Sequence, residues 1–447
     1  MHRMNFAGCM VFRRLSALHS NHKRIAAGAL LIGVLTAIAK SFVAGREMAI
    51  AWRYGVSSTV DAYQLALTIT TWLPMMLASV MTVVLVPRLV ALGRDPAERR
   101  SFIAELNGTV LVLGIALAAL TYALAPAASL LLASRADPRT TELTATMSRA
   151  MSLVALWSIA VGYFSARLQS RERFGYSVTE AIPALIIALF VLGIFPIRGS
   201  TSLIVGTGLG FLLQGIVLSI MVQHGDAGIG SLSFRHRSSE WRSLYASAAV
   251  MAAAQAVIAF SIPIDQAFAA RLGSGAVATL GYANRIVILL TGFGGVVLAR
   301  ALLPVLSRTI IDGEQQLGSR QAKQWASLLF VFGVGLALAV WLLAPWGVSF
   351  VFERGAFTKL DANRVARLLR FGAIQLPFYF GGLAFVQWIA VLGRYKALLR
   401  IAFVAVVAKI VLNVLLLREL GLVGIMISTA GMYAICFAGE YAVVRKQ

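Results

Sequence analysis

Apolar runs of about 20 residues alternate with short polar breaks along the chain from residue 25 to residue 443. A run of that length lets one helix cross about 30 Å of hydrocarbon, whereas strands of a barrel would alternate apolar and polar residues. The pattern predicts twelve transmembrane helices, near 25–45, 60–87, 103–133, 147–166, 178–197, 201–222, 244–270, 277–303, 325–351, 368–392, 398–417 and 421–443. The fold class is an all-α integral membrane protein.

Two segments interrupt this regularity. VAGREMAIAWRYGVSSTVDAY, residues 43–63, places Arg46, Glu47, Arg53 and Asp61 where the first span ends and the second begins. FERGAFTKLDANRVARLLR carries Arg354, Lys359, Arg364, Arg367 and Arg370. It reads as a basic amphipathic segment on the outer interface or as the mark of a miscounted span.

Composition agrees with the pattern: 59% of residues are hydrophobic and 13% charged, against about 25% charged in a soluble domain. The formal charge of +22 suggests no nucleic acid, because the basic residues stand singly or in short clusters between spans. Most of them fall on the side of the N-terminus, so both termini are expected in the cytoplasm. Residues 1–24 form a basic tail that mimics a secretory signal, but more membrane follows it and no cleavage is expected. Cys9 and Cys436 form no metal or disulfide pattern. His2, His19, His22, His224 and His236 lie in tails or cytoplasmic loops, which argues against a histidine site inside the membrane. The glycines of VGTGLGFLLQG sit within an apolar span and read as helix packing, and no HExxH, GxSxG or GK[ST] pattern occurs.

A weak repeat is present. Ala51-Trp52-Arg53-Tyr54-Gly55 resembles Ala269-Ala270-Arg271-Leu272-Gly273, and Leu85-Val86-Pro87-Arg88-Leu89 resembles Leu302-Leu303-Pro304-Val305-Leu306, at offsets of 218 and 217. The shift maps the first span onto the seventh and the second onto the eighth. Two six-helix lobes of one orientation follow, 25–235 and 236–447, with a substrate site expected between them.

Ionisable residues inside spans cost at least ~2.5 kcal/mol each and so face partners or a wet cavity. Lys40 and Arg46 do not share a tight stripe of the first helix, and Arg46 either lines the cavity, reaches the outer interface or pairs with Glu47. Arg285 lies well inside the eighth span without an acid in that span; it faces a central cavity or pairs with Asp265 or Glu47. Under the repeat Glu47 falls on Asp265, and the arginines between two such carboxylates suit an anion, above all phosphate. Lys409 and Asn413 share a face of the eleventh span, and Asp265 is the most available partner of Lys409.

GREMAIAWRYGVSSTVDAYQLALTITTWLP, VPRLVAL, DQAFAARLGSGAVATLGYANRIVILLTGFGGVVLARALLPVLSR and FERGAFTKLDANRVARLL together resemble the MurJ/MviN family of lipid II flippases, in the multidrug/oligosaccharidyl-lipid/polysaccharide exporter superfamily. The resemblance implies a V-shaped molecule whose cationic cavity receives the pyrophosphate of an undecaprenyl-linked sugar and opens alternately inward and outward. Arg46 matches the family's arginine after the first helix, Glu47 its following acid, Asp61 the aspartate opening the second helix and Arg285 the arginine of the eighth. Lys40 stands where the family often has another cavity arginine. Pro74 occupies the place of a second-helix arginine, Ile288 that of an acid, and many members carry two further C-terminal helices beyond the point where this sequence stops, at Gln447. Some members couple to sodium through a seventh-helix aspartate and polar partners on the eleventh. Asp265 and Asn413 take those places, while Lys409 puts a tethered cation where the metal ion is expected.

The reading is a flippase of the bacterial cytoplasmic membrane that moves an undecaprenyl-pyrophosphate-linked oligosaccharide, either a polysaccharide repeat unit or lipid II. Arg46, Arg285 and Lys40 bind substrate, and Glu47, Asp61, Asp265, Lys409 and Asn413 serve gating and ion pairing. No cofactor or resident metal is expected, with coupling to membrane potential, H+ or Na+. The partners are the polyprenyl-linked glycan, membrane lipids and glycan-synthesis enzymes, and the protein is expected to be a monomer and not an enzyme. The alternative is a cation-coupled multidrug exporter, which would need acids lining the cavity. A membrane glycosyltransferase would need a large outer loop, and a non-transporting scaffold makes no demand on the in-span charges.

Overall fold

The structure, a computed structural model, describes residues 20–92, 95–133, 137–171, 173–197, 199–223, 231–238, 240–292 and 314–445. Most of the N-terminal tail, Cys9, His2, His19, His224, Arg300 and the 302–306 half of the repeat lie outside them.

The described chain is helical: α1 Ser20–Tyr54, α2 Ser58–Ala91, α3 Pro96–Leu132, α4 Pro138–Ala150, α5 Leu153–Gln169, a 3-10 turn Phe174–Glu180, α6 Ala181–Val191, α7 Ser200–Gln223, α8 Glu240–Ala259, α9 Ser261–Ala270, α10 Ala276–Gly292, α11 Gln315–Phe352, α12 Lys359–Gly372, α13 Gln375–Val391, α14 Tyr395–Leu420 and α15 Leu422–Arg445. No strand occurs among the described residues. Every predicted span has a helical counterpart. Among the described residues seven helices are long and apolar enough to cross a membrane, and the pair α4–α5, bent by 55°, makes an eighth.

Local chemistry sets the ends. Asp95 caps α3 by accepting from the N–H groups of Ala97 and Glu98 at 3.0 and 3.1 Å, with Pro96 in the first position. Gly55 closes α1 at φ +57°, a conformation that side chains with a Cβ rarely adopt. The basic segment is neither a loop nor an extra span. Thr358 and Asp361 form a capping box that starts α12. The helix packs its apolar face, including Val365 and Leu369, against α11 and α15, leaving Lys359, Arg364 and Arg367 exposed.

The seventh span is split at Phe260, and the reason lies three residues on. Pro263 lacks the N–H that would bond the Ala259 carbonyl in a continuous helix. The indole N–H of Trp72 on α2 donates to that carbonyl instead, at 2.7 Å, and the Trp72 and Phe260 rings pack at 4.6 Å. A freed backbone group at this depth needs a protein partner, because hydrocarbon supplies none.

Helices α1 to α7 pack on one another and α11 to α15 form a second group, which α10 joins through Tyr282 against Phe352 and Phe357, while α9 touches both, with α2 and α3 on one side and α14 and α15 on the other. Just after residue 236, where the second lobe is expected to begin, the chain packs closely on the first helical group. Trp241 and Leu244 of α8 join the apolar cluster of α2, α3 and α5. Buried Glu105 of α3 accepts from the Trp241 indole at 2.6 Å and from the N–H groups of Arg237 and Ser238 at 3.2 and 3.3 Å. Arg88 of α2 pairs with Glu240. The seventh span therefore lies between the two groups: α8 packs on α2 and also meets α14, and α9 touches α2 and α3 as well as α14 and α15.

Trp72→Phe removes the indole donor and keeps an aromatic ring, leaving a part-buried carbonyl without its partner at a cost of about 1 kcal/mol. The expected outcome is a thermal unfolding midpoint several degrees lower in detergent. In the Trp72→Phe, Pro263→Ala double variant the new N–H reaches Ala259 and recovers most of the loss.

Candidate functional site

The end of the bundle that carries the α1–α2 turn is here called the upper end. There the two helical groups lock together through backbone groups. Asp61, 2% exposed, accepts from the N–H groups of Gly275 and Ala278, the latter at 2.6 Å. Its carboxylate therefore caps α10 from another helix, where the positive end of the helix dipole and the unpaired N–H groups both favour an anion. The Tyr282 hydroxyl donates to the Gly55 carbonyl at 3.2 Å, and the Ala356 N–H donates to the Trp52 carbonyl at 2.8 Å. A Cβ on Gly55 would lie 2.3 Å from the Ala356 oxygen and one on Gly355, at φ +60°, 2.4 Å from the Trp52 oxygen, so both approaches require glycine. Buried Tyr282, Phe352 and Phe357, with ring centres 5.3 to 5.6 Å apart, seal the space beneath.

Two of these contacts join residues 217 positions apart, Asp61 with Ala278 and the Gln64 side chain with Gly281. That is the smaller of the two offsets found in the sequence, and under it each residue meets its own counterpart. Counterparts can meet in this way only on or near a twofold axis.

Below this lock, by about 12 Å along α1 and about 10 Å along α10 at 1.5 Å per residue, the predicted charges converge. Glu47, with a side chain 4% exposed, receives Arg46 Nε at 2.8 Å and also pairs with Arg285 of α10. The arginine side chains are 17% and 23% exposed. One carboxylate thus stands between two guanidinium groups from different helical groups, leaving one positive charge uncompensated within the cluster. Arg285 takes Glu47 of its two candidate partners, and Arg46 also pairs with it.

The other predicted residues lie elsewhere. Lys40 pairs with Glu180 at 2.9 Å, with side chains 38% and 48% exposed, and joins neither arginine. Asp265 does not approach the arginines from the opposite side. Lys409 engages it at 2.8 Å, with Asn413 at 3.3 Å. Pro74 is buried inside α2, and Ile288 is 56% exposed. Between α2 and the α8–α9 break lies a cavity of about 260 Å³, lined by Thr68, Trp72, Met75, Met76, Gln255 and Ile262 among others.

Sequence reasoning passed over Gln64, Gly275, Ala356 and Glu180. The GSG of 273–275 ahead of a helix start was the one available signal that α10 lacks a capping side chain of its own.

The sequence profile of the family described as "Lipid II flippase MurJ" matches residues 50–447. The "Probable lipid II flippase MurJ" of Rhizobium tropici is 28% identical over 219 residues, 49% of this chain and 41% of that protein. The protein of the same description from Synechocystis sp. is 25% identical over 433 residues, 90% of this chain and 78% of its own length. Among solved structures, "Lipid II flippase MurJ, inward closed conformation" superposes with a TM-score of 0.80 at 17% identity, covering 93% of this chain and 87% of that one. An inward-facing multidrug resistance MATE family transporter of the MOP superfamily gives 0.76 at 14% identity, covering 94% of this chain and 97% of its own. With its helical bundle, its locked upper end and its paired arginines, this multi-pass membrane chain belongs to the MurJ family of lipid II flippases, on the fold that family shares with MOP-superfamily transporters.

Proposed function

We propose that the protein flips an undecaprenyl-pyrophosphate-linked glycan across the bacterial cytoplasmic membrane by alternating access. Lipid II is the member of that class that the relatives' names carry. The supporting observation is the shared carboxylate: Arg46 and Arg285 come from different helical groups and meet at Glu47. A diphosphate carries more negative charge than one carboxylate and presents oxygens in the geometry that two guanidinium forks accept. In the empty site Glu47 holds the arginines together in place of the headgroup. When the headgroup arrives, Glu47 gives up the arginines, and the difference in affinity between the two arrangements is what shifts a conformational equilibrium.

In this reading the upper end is the outer face, and the lock around Asp61 keeps the site closed to it while the headgroup enters from the cytoplasm. The termini are then cytoplasmic. A cation-coupled exporter of the same superfamily fits less well, since the exposed part of the cluster carries a surplus of positive charge.

Purified protein in proteoliposomes with a fluorescent lipid-linked donor tests the site. Arg46→Ala with Arg285→Ala is expected to reduce flipping to the protein-free background, and retained flipping removes the proposal. Glu47→Gln keeps both arginines and removes their competitor, so headgroup binding tightens while turnover slows.

Asp61→Asn weakens the cap on α10. Spin labels at the exposed positions Arg53 and Leu272, on opposite sides of the lock, are expected to show a longer or broader distance distribution by pulsed electron paramagnetic resonance. An unchanged distribution would mean that Asp61 does not hold the lock.

A further inference from the structure

The ion pair deep in the second helical group does not touch the arginine cluster, and its chemistry is separate. The Lys409 side chain is 0% exposed, and its ammonium donates to Asp265 Oδ2 at 2.8 Å and to the Ser261 hydroxyl. Asn413 Nδ2 donates to Asp265 Oδ1 at 3.3 Å, and the Thr429 hydroxyl lies 3.4 Å from Asp265 Oδ2. Three helices meet here: α9 through Ser261 and Asp265, α14 through Lys409 and Asn413, and α15 through Thr429. The oxygens around the ammonium are the Asp265 carboxylate and the Ser261 hydroxyl, with the Thr429 hydroxyl on the far side of the carboxylate, and one more oxygen is left over. Asn413 Oδ1 is fully buried and has no hydrogen-bond partner.

Buried oxygens of this kind are what a hard cation takes as ligands. The family resemblance implies a sodium ion at this aspartate, and the residues do not fit one while Lys409 is in place. The ammonium already sits on Asp265, and a second cation beside it would meet like charge in a low-dielectric interior. We propose that Lys409 is a built-in replacement for a bound monovalent cation. It neutralises Asp265, ties α9, α14 and α15 together without an ion from solution, and leaves this chain without a sodium site. Shortening the side chain to an amide or a methyl would vacate the position and expose a site made of Asp265, Asn413 Oδ1, Ser261 and Thr429. A tethered cation differs from a free one in a testable way: its occupancy is independent of salt composition, whereas a free ion stabilises the folded state in proportion to the logarithm of its concentration above its dissociation constant.

The test needs no transport assay, so its outcome is separate from that of the flippase proposal. The full chain is purified in detergent, and its unfolding is followed by tryptophan fluorescence in sodium, potassium or choline chloride at equal ionic strength. The wild type is expected to unfold at one temperature in all three salts. Lys409→Asn and Lys409→Ala are expected to unfold several degrees lower in choline and to regain stability along a saturable sodium titration. Lys409→Met with Asp265→Asn removes both charges; it is expected to fold and to be insensitive to the cation. A saturable, sodium-specific stabilisation of the wild type overturns the proposal. So do Lys409 variants that fold yet respond to sodium no more than the wild type. If the single variants do not fold, the wild-type titration and the double variant still decide: a sodium response in either overturns it.

Discussion

A carboxylate held between two guanidinium groups at membrane depth fixes the relative position of two helices that share no loop. Neither arginine could remain at that depth without a counter-charge, and Glu47 could not remain buried without them. α1 and α10 are therefore registered against each other by charge. The lock above them, where Asp61 caps α10 and Gly55 and Gly355 admit close backbone approach, depends on that registration. In the proposed flippase, where the headgroup competes with Glu47 for the arginines, closure and headgroup recognition are two aspects of one electrostatic balance.

The bilayer imposes the second constraint. Every helix break exposes carbonyls and amides that lipid does not hydrate. The break at Phe260 is tolerated because a tryptophan from α2 replaces the amide that Pro263 lacks. Breaks of this kind let one span follow two packing groups, and both halves of the seventh span touch α2 on one side and α14 on the other. The apolar face of α8, with Trp241 and Leu244, fills the groove between α2, α3 and α5, a contact between the expected lobes that no pattern within the span announces.

What was legible in the sequence follows the strength of the physical signal. Long apolar runs placed the spanning helices, since a run of that length without alternation satisfies its backbone in hydrocarbon only as a helix. Ionisable residues inside those runs pointed to Arg46, Glu47, Arg285, Asp265 and Lys409, because burying them unpaired is so unfavourable that each must find a partner. Which partner was harder to read. Lys40 was grouped with the arginines by charge, yet α1 turns it toward Glu180, whose 3-10 turn has no periodic signature. Asp61 was marked as a gating residue, but its partners are two backbone N–H groups, and backbone groups are identical at every position in a sequence. The basic segment at 353–370 was left between an interfacial helix and a miscounted span, because an amphipathic pattern shows that one face is apolar without showing what covers it.

The meeting of counterparts at the upper end has a consequence for how such a molecule can be made. Two identical halves brought together about that axis would set aspartate against aspartate and glutamine against glutamine, in a space that holds one carboxylate and one amide. Here the acid faces a bare backbone amide at Ala278, and the amide side chain fills the hollow over Gly281. A seal of this kind works only when its two sides have become unlike, so two copies of one half could not form it.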